Sequence, residues 1–412
     1  MIGRHLTDAL LAALGDTPVV LLHGPRQSGK STLVRWVAEN KHPAAYFTLD
    51  DAALLSAVNR DPDAFLRGMR GAMVIDEAQF APDLFRAIKL DVDRKRTPGR
   101  FLLTGSANVM MLPKISESLA GRMEVLNLWP FSQGELAGVR EEFVDRLFEA
   151  DHFGDLSHRE LPPDKLMECI ITGGYPEVVQ RPDPGRRRAW FGSYITTILQ
   201  WDVREMAQVE DLTALPRMLF LLAAQSGGLL NMSELSRDVG LSQPTVKKYL
   251  ALLRATHLYQ PMSAWSANTR KRLIKSEKVY LNDTGLLAYL LGVDAGRAER
   301  PTSKIGGLLE AFVCQELRKQ IGWSRSQPSI YYYRTSTGRE VDFVLEHRNG
   351  QLVGLEVKAA IKIGRDDFRG LEDLADTAGN KFRAGVLLYQ GTSIVPFGLR
   401  LWAIPVSAMF AA

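Results

Sequence analysis

A glycine-rich stretch near the amino end of the chain has the residue types and spacing that bind phosphate. It follows an apolar run at 19–22, where a strand should turn into a helix, and its residues are Gly24, Pro25, Arg26, Gln27, Ser28, Gly29, Lys30, Ser31 and Thr32. The two glycines let the backbone curl so that successive N–H groups face phosphate oxygens, and the helix N-terminus adds positive potential. We expect Lys30 to reach the outer phosphates and Ser31 to ligate magnesium. The pattern predicts a phosphate-binding loop, the P-loop.

Polar residues follow two further apolar runs, at points where strands should end. Asp76 and Glu77 close one run, and Ser106 follows another. We expect Asp76 to hold the magnesium shell and Glu77 to orient or deprotonate a water that attacks phosphate. Alone, Asp-Glu after apolar residues would indicate a solvated strand end. Ligands of open α/β sheets bind outside the carboxyl ends of strands, so these residues should converge on Lys30, which favours hydrolysis of ATP with Mg²⁺.

The far end of the chain carries a second group of residues that suits phosphate chemistry. Asp342 lies mid-strand, and Glu356 and Lys358 lie on the next strand, beyond a turn signal at 349–350. With a side-chain period of two, Glu356 and Lys358 share one face, which Asp342 can also face. Together with Glu310 on a preceding helix, these carboxylates predict a site for a hard divalent cation that positions water against a phosphodiester, with Lys358 stabilising the developing charge. The alternative is a surface salt bridge between Glu356 and Lys358, with Asp342 solvated.

The elements that must position the P-loop lie in the first 150 residues. Short continuous apolar runs bounded by turn residues are typical of buried parallel strands, and helical patterns separate them here. This β-α-β alternation predicts an α/β domain with a parallel sheet over residues 1–150. A helical connector is expected over 151–214.

Residues 215–295 have the pattern of a winged helix. Two helices on either side of Gly240 form a helix-turn-helix pattern, and two strand-like runs flank the basic segment Asn268-Thr269-Arg270-Lys271-Arg272. The last helix would present residue types that contact base edges and phosphates in the major groove of DNA, namely Gln243, Thr245, Lys247 and Lys248. The basic segment favours DNA slightly. The other interpretation is a packing module without DNA contact.

Three motifs within residues 4–135 form a recognisable set: Gly-Pro-Arg-Gln-x-Gly-Lys, Val-Ile-Asp-Glu-Ala-Gln and Leu-Leu-Thr-Gly-Ser. In these motifs the chain resembles the AAA+ ATPase superfamily and, more narrowly, a group of bacterial and archaeal ATPases whose C-terminal half belongs to a domain-of-unknown-function class. The resemblance implies that Ser106 is at the sensor-1 position. It also implies that Arg122, which ends the segment Leu-Ala-Gly-Arg, is an arginine finger that acts in trans within a homo-oligomer. A surface arginine paired within its own chain is the alternative.

Beyond residue 296 the expected order is helix, three strands, helix and strand. With Asp342, Glu356 and Lys358 at the motif positions, this segment resembles the PD-(D/E)xK nuclease superfamily, although Val341 stands where that family has a proline. The resemblance implies an α/β domain over 296–412. We expect Mg²⁺ to be the cation that Glu310, Asp342 and Glu356 bind.

Composition limits the other function classes. The net charge of +4 is too small to indicate a nucleic-acid binder by itself. Cys169 and Cys314 are far apart and lack neighbours at ligand spacing, so neither a disulfide framework nor structural zinc is expected. Charged residues interrupt the apolar stretches at the amino end, which predicts no signal peptide or membrane span. We therefore expect a cytoplasmic protein without a membrane partner.

The sequence leads to one function and one alternative. The expected function is ATP hydrolysis by an AAA+ protein that acts with double-stranded DNA, with the ATP state governing a metal-dependent, nuclease-like C-terminal domain. The alternative is an ATP-dependent switch or regulatory module whose catalytically silent nuclease fold binds DNA or protein.

Overall fold

A computed structural model of the chain describes residues 2–106, 119–150, 152–158, 160–203, 213–268, 270, 272, 275–293 and 302–411. The chain begins with alternating helices and strands. The helices are α1 (Thr7–Asp16), α2 (Lys30–Asn40), α3 (Ala52–Arg60), α4 (Pro62–Gly68) and α5 (Leu84–Arg94). The strands are β1 (Val19–His23), β2 (Ala45–Thr48), β3 (Met73–Asp76), β4 (Phe101–Gly105) and β5 (Met123–Asn127).

These five strands form one parallel sheet in the order β2-β3-β4-β1-β5. Every residue of β1, β3 and β4 is buried, which explains their continuous apolar runs. Val19 and Leu21 of β1 pack into a core with α3, α4 and α5. Val20 and Leu22 point the other way, into a core with α1 and α2. The predicted α/β domain with a parallel sheet is confirmed.

The middle of the chain is mainly helical. Its helices are α6 (Gln133–Ala137), α7 (Phe143–Glu149), α8 (Pro163–Thr172), α9 (Pro176–Val179), α10 (Pro184–Thr197), α11 (Ala214–Ala224), α12 (Met232–Val239), α13 (Gln243–Ala255) and α14 (Thr284–Leu290). Gly240 joins α12 to α13 with φ 79°, a left-handed conformation that favours glycine at the end of a helix. Strands β6 (Tyr259–Met262) and β7 (Lys278–Leu281) pair antiparallel between α13 and α14. Helices α11 to α14 and a two-stranded ladder therefore lie in the segment in which the winged helix is predicted.

The last segment is built on a mixed sheet. It begins with α15 (Thr302–Ile321) and continues with β8 (Ser329–Arg334), β9 (Glu340–Glu346), β10 (Leu352–Lys358), α16 (Arg369–Ala378), β11 (Phe382–Tyr389), β12 (Val395–Pro396) and β13 (Leu401–Pro405). The sheet order is β12-β13-β11-β10-β9-β8. Strands β8, β9 and β10 are successively antiparallel, whereas β11 is parallel to β10. The order helix, three strands, helix and strand is as predicted, and the turn at 349–350 joins β9 to β10.

One hydrophobic core extends through the middle and last segments. It contains residues of α7 and α8, of α11 to α13, of β6 and β7, and of the sheet from β9 to β13. The backbone also crosses between the two segments, because the N–H of Trp265 donates to the carbonyl oxygen of Tyr332 and that of Tyr332 to Ser263. The described parts of these two segments therefore share one hydrophobic core. Within the described part of the chain, no helix is both long and apolar enough to cross a lipid bilayer.

Arg4 ties the amino end of the chain to the P-loop. Its guanidinium donates to the carboxylate of Glu135 at 3.1 Å, to the carbonyl oxygen of Ser28 at 2.8 Å and to that of Trp129 at 2.5 Å. The side chains of Arg4 and Glu135 are only 6% and 1% exposed. Removing one member of such a buried pair leaves the other charge without its counter-ion.

We expect Arg4→Ala to lower the free energy of unfolding by about 3 kcal/mol, because Glu135 would lose its buried partner. The measurement is urea-induced unfolding followed by tryptophan fluorescence. Arg140→Ala is the control, since Arg140 pairs with Asp8 at the surface and should cost less than about 1 kcal/mol. Equal effects of the two substitutions would contradict a stabilising role of the Arg4 contacts.

Candidate functional site

The P-loop joins the carboxyl end of β1 to the first turn of α2. Gly24 and Gly29 have φ values of 151° and 94°, which side chains rarely adopt. A Cβ on Gly24 would lie 2.2 Å from the carbonyl oxygen of Leu128, so only glycine fits where the loop passes the end of β5. The predicted change from strand to helix occurs here, and helix α2 begins at Lys30. The other loop residues range from buried to exposed: Pro25 and Ser28 are buried, Arg26 is half-buried and Gln27 is exposed.

Lys30 lies inside the loop. Its ammonium donates to the carbonyl oxygens of Gly24 and Pro25, both at 3.0 Å, and the residue is 4% exposed. Half-buried Ser31 and exposed Thr32 follow in the first turn of α2. Because charge-assisted bonds to phosphate are stronger than bonds to a carbonyl, the ammonium is placed to exchange these acceptors for phosphate oxygens.

Asp76 ends β3 and is held by two hydroxyl groups. Tyr46 donates to its Oδ2 at 2.6 Å, and Thr104 of β4 donates to its Oδ1. Burial, together with the carboxylates of Glu77 and Asp76, raises the pKa of the neighbouring Asp50. This edge therefore concentrates negative charge. The Asp76 carboxylate and the Ser31 hydroxyl are hard oxygen donors of the kind that Mg²⁺ takes, so the residues fit that ion.

Glu77 is joined to Ser106 through a glutamine. Glu77 has φ 56°, and its N–H donates to the Thr104 hydroxyl at 3.0 Å. The side-chain amide of Gln79 donates both to the Glu77 carboxylate and, at 3.2 Å, to the hydroxyl of Ser106. Gln79 thus orients the side chain of Glu77, and Thr104 holds its backbone. Gln79 and Thr104 link the polar ends of β3 and β4, with Asp76, Glu77 and Ser106, into one hydrogen-bonded set.

Arg122 lies at the opposite edge of the same sheet. Its carbonyl oxygen accepts from the N–H of Val19, at the start of β1, whereas the P-loop follows His23 at the end of that strand. At about 3.3 Å per residue, the two edges are about 13 Å apart. The Arg122 guanidinium donates to the carboxylate of Asp93 and to the carbonyl oxygen of Ala120. Within one chain, Arg122 is paired locally and is not near the P-loop.

The predicted C-terminal residues come together. Asp342 on β9 accepts from the N–H of Val357 on β10 at 2.9 Å, and Lys358 pairs with Glu356 at 3.1 Å. Glu310 enters the same cluster from α15. Burial and the Asp342 carboxylate raise the pKa of both Glu310 and Glu356. We call Glu310, Glu340, Asp342, Glu356 and Lys358 the carboxylate cluster.

A lysine that the sequence did not reveal also enters the carboxylate cluster. Lys278 of β7 places its ammonium 2.7 Å from Glu340, 3.0 Å from Glu310 and 3.4 Å from Asp342. Burial alone would lower the pKa of Lys278, but these carboxylates raise it above its usual range. Tyr280 also donates to Glu310, at 2.6 Å. Among the described residues, no group of three or more His, Cys, Asp and Glu side chains is arranged to hold a metal ion, so the cluster as folded does not fit the expected Mg²⁺.

The residues expected to face DNA have mixed surroundings. Gln243, Lys247 and Lys248 are exposed on α13, and Thr245 is half-buried. In the basic segment, Arg272 makes two hydrogen bonds to Glu346, one of them 3.0 Å long, so its charge is compensated by the last segment of the chain. Thr269 and Lys271 lie outside the described residues.

The P-loop also contacts the middle of the chain. The Tyr194 hydroxyl donates to the carbonyl oxygen of Arg26 at 3.3 Å and is bonded to the Tyr175 hydroxyl at 2.7 Å. The rings of His23 and His257, which follows α13, lie 5.2 Å apart. Burial and the Lys30 ammonium lower the pKa of His23 to about 4, so this imidazole is neutral at pH 7.

Comparisons with known proteins agree with this geometry. The family described as an AAA domain matches residues 16–137. Two families described as domains of unknown function match residues 163–297 and 305–409. The uncharacterized proteins Rv2008c of Mycobacterium tuberculosis and Mb2031c of Mycobacterium bovis are each 34% identical over 407 residues, which is 98% of this chain and 83% of theirs. The chain is an AAA+ ATPase of the same family as these two proteins.

Membership of the AAA+ ATPases implies nucleotide binding, typically with Mg²⁺. A solved structure of a Walker-type ATPase of Pyrococcus abyssi is similar to this ATPase with a TM-score of 0.45 and 16% identity. The match covers 71% of this chain and 96% of that one.

Sequence reasoning missed several residues of the ATPase that the structure places in these sites, among them Gln79, Thr104, Lys278 and Glu340. Gln79 follows Glu77 at a distance of two residues, and Thr104 is a polar residue in a buried strand. Both lie within motifs that the sequence analysis identifies. A polar side chain close to a predicted site residue was therefore the signal that could have revealed them. Lys278 gives no such signal, because it precedes three buried residues of an ordinary strand.

We expect Gln79→Ala to lower kcat for ATP hydrolysis about tenfold to a hundredfold, because the Glu77 carboxylate would lose the contact that orients it. The affinity for ATP should change less than about threefold, since the Gln79 amide donates to Glu77 and Ser106, which are not part of the P-loop. Steady-state phosphate release and titration with a fluorescent ATP analogue measure the two quantities. The control is Gln180→Ala at an exposed position. A loss of affinity at unchanged kcat would contradict the orienting role.

Proposed function

We propose that this ATPase hydrolyses ATP at the carboxyl edge of β1, β3 and β4, and that its ATP state governs how a nuclease-like C-terminal domain acts on double-stranded DNA. The observation that carries the first part is the hydrogen-bonded set from Asp76 through Thr104 to Glu77, and on through Gln79 to Ser106. This set lies at the same carboxyl edge of the sheet as the loop that holds Lys30. A phosphate cradle, a magnesium-binding carboxylate and a second carboxylate for water are the parts that phosphoryl transfer to water requires.

Each residue of the proposed ATP site has one role. The backbone of the P-loop and the Lys30 ammonium bind the phosphates, while Ser31 and Asp76 hold Mg²⁺. The ion neutralises charge on the phosphates when it is bound. Glu77 orients the attacking water or accepts its proton, and Gln79 couples Glu77 to Ser106.

The contacts of the P-loop with the middle of the chain support transmission of the ATP state. Phosphate binding draws Lys30 from the carbonyl oxygens of Gly24 and Pro25 and so changes the loop backbone. Arg4 and Tyr194 donate to carbonyl oxygens of that same loop. A change in the loop therefore reaches α10 directly, and it reaches the end of α13 through the ring contact of His23 with His257.

DNA is the proposed partner of the middle segment. Lys247 and Lys248 stand side by side on α13 and are exposed, next to exposed Gln243 at the start of the helix. An exposed pair of lysines on a helix that follows a tight turn suits phosphates beside a major groove. The pairing of Arg272 with Glu346 limits the contribution of the basic segment.

The proposed assembly is a homo-oligomer in which Arg122 acts in trans. Because Arg122 and the P-loop lie at opposite edges of one sheet, the guanidinium reaches a phosphate only in a second copy. Such a contact would replace its local pairing with Asp93.

One observation favours a second candidate function, an ATP-dependent switch whose nuclease fold is catalytically silent. The ammonium of Lys278 bonds to Glu310 and Asp342, two of the three proposed metal ligands. In this arrangement the C-terminal domain would bind DNA or protein without cutting it.

We expect Glu77→Gln to retain ATP binding while phosphate release falls at least about a hundredfold, because the amide cannot accept a proton from water. Lys30→Ala should instead weaken ATP binding, since the outer phosphates lose their cation. Phosphate release and equilibrium binding of ATP distinguish the two variants. The control is Glu124→Gln, at an exposed position of β5.

Hydrolysis by Glu77→Gln at the wild-type rate would overturn the assignment of Glu77. Loss of binding in both variants would mean that Glu77 acts on affinity and not on the attacking water.

We expect the double variant Lys247→Ala and Lys248→Ala to weaken binding to a DNA duplex. Loss of two phosphate contacts should reduce the slope of log affinity against log salt by about two. Fluorescence anisotropy with a labelled duplex at several salt concentrations measures both effects. The control removes the same charge at two exposed positions of the first domain, Lys41→Ala and Lys95→Ala. An unchanged slope would leave the middle segment with a packing role only.

A further inference from the structure

Lys278 is a buried cation of the middle segment, and carboxylates of the last segment compensate its charge. It lies at the start of β7, within the ladder with β6, where it pairs with Met262. Its side chain is 2% exposed. All three carboxylates that contact its ammonium come from the last segment, from α15 and β9. Whether Lys278 lies in the cluster therefore depends on the position of β7 relative to the last segment.

The ammonium uses its full bonding capacity in this place. An ammonium has three N–H donors and no acceptor, and Lys278 faces three carboxylates, those of Glu310, Glu340 and Asp342. Glu310 also accepts from the Tyr280 hydroxyl. The ammonium is 3.0 Å from Glu310 and 3.4 Å from Asp342. A hard cation such as Mg²⁺ or Ca²⁺ needs oxygens at 2.0–2.6 Å, so it cannot stand between these two carboxylates while the ammonium is there.

We propose that Lys278 is the built-in cation of the carboxylate cluster, which takes a divalent ion only when β7 withdraws this ammonium. The ammonium stands between Glu310 and Asp342, the position that a metal ion would occupy. The proposal rests on the proposed nuclease-like nature of the C-terminal domain, and it assigns to β7 the role of keeping a divalent ion out of that domain.

The charges of the cluster favour exchange once the lysine leaves. Four carboxylates face the ammonium groups of Lys278 and Lys358, which leaves two negative charges when all groups are ionised. A divalent cation in place of Lys278 leaves one. The carboxylate of Glu356 has one oxygen, Oε2, that is buried without a hydrogen-bond partner within the described part of the chain. This oxygen is an acceptor that Lys278 does not satisfy and that a metal ion would.

The strand that carries Lys278 is connected to the ATP site. His257 contacts His23 at the start of the P-loop, and β6 begins two residues after His257. Strand β6 pairs along its whole length with β7. A displacement of His257 by the P-loop is therefore carried along one ladder to the end at which Lys278 lies.

The test is Mn²⁺ binding to the nucleotide-free protein, followed by electron paramagnetic resonance of free Mn²⁺ and by calorimetry. We expect Lys278→Met to bind one Mn²⁺ per chain at least tenfold more tightly than the wild type does. Adding Asp342→Asn to that variant should abolish the gain. Lys319→Met is the matched control, because Lys319 is also buried against a carboxylate, that of Glu316, but lies outside the cluster. It should gain no Mn²⁺.

Loss of a buried counter-ion also destabilises the chain, so a second variant accompanies the first. Lys278→Met with Glu340→Gln removes one charge of each sign and leaves Glu310, Asp342 and Glu356 in place. We expect Mn²⁺ to raise the Tm of this variant, and of Lys278→Met, because an ion that binds only the folded state stabilises it. The wild type should show no Mn²⁺-dependent rise in Tm.

Two results would overturn the proposal. One is wild-type binding of Mn²⁺ that Asp342→Asn removes and that lies within threefold of the affinity of Lys278→Met, since Lys278 would then exclude nothing. The other is a folded double variant that binds no Mn²⁺, which would make the cluster an ion-pair network only.

DNA cleavage is a separate readout. If Lys278→Met binds Mn²⁺ but cuts no DNA, the nuclease function fails and the role of Lys278 stands.

Discussion

The parallel pairing of β4 between β1 and β3 is the constraint on which the ATP site depends. Because Val19, Phe101 and Met73 stand in register at the start of these strands, the three strands end together and their polar residues meet at one edge. Strand β4 also supplies the hydroxyl of Thr104, which bonds to Asp76 and to the backbone that follows it. A sheet with β1 directly beside β3 would have the same motifs but not this bridge. The strand order therefore determines which chemistry the motifs can perform.

Buried charge pairs fix the remaining segments relative to this sheet. Arg4 joins the amino end to the P-loop, and Lys319 on α15 donates to the carbonyl oxygen of Phe131 at 2.9 Å. Glu316, one turn before it, accepts from the backbone at the start of α6. Glu310 lies on the same helix, six residues or about 9 Å away, in the carboxylate cluster. A single rigid helix thus joins the end of the ATPase domain to the C-terminal cluster, and an unpaired charge at either place would be costly.

The sequence was sufficient where a feature depends on local pattern. The P-loop turn follows from glycine spacing, and the approach of Asp342 to Glu356 follows from the side-chain period of two strands across a recognisable turn. Both depend on neighbours in sequence or on one hairpin. The type and order of the elements of the last segment could be predicted for the same reason.

Features that depend on distant packing could not be predicted. Lys278 meets Glu310 and Asp342 from 32 and 64 residues away, and nothing in a strand of ordinary composition marks one lysine as buried. Arg272 has the composition of an exposed basic wing, yet it lies against Glu346 because β6 continues into contact with β8. In both cases the segment that covers a charged side chain decides whether it is buried and which carboxylate it pairs with. The local sequence does not contain that information.

The placement of Arg122 and the P-loop at opposite edges of the sheet has a geometric consequence for assembly. Any contact between this arginine in one copy and the loop in another joins two different surfaces, so the interface is heterologous, and a pair of copies retains one unused surface of each kind. Such copies add head to tail. The angle between neighbours alone then decides whether the series closes into a ring, in which every subunit completes the next, or grows into an open helix whose two end subunits differ from the rest.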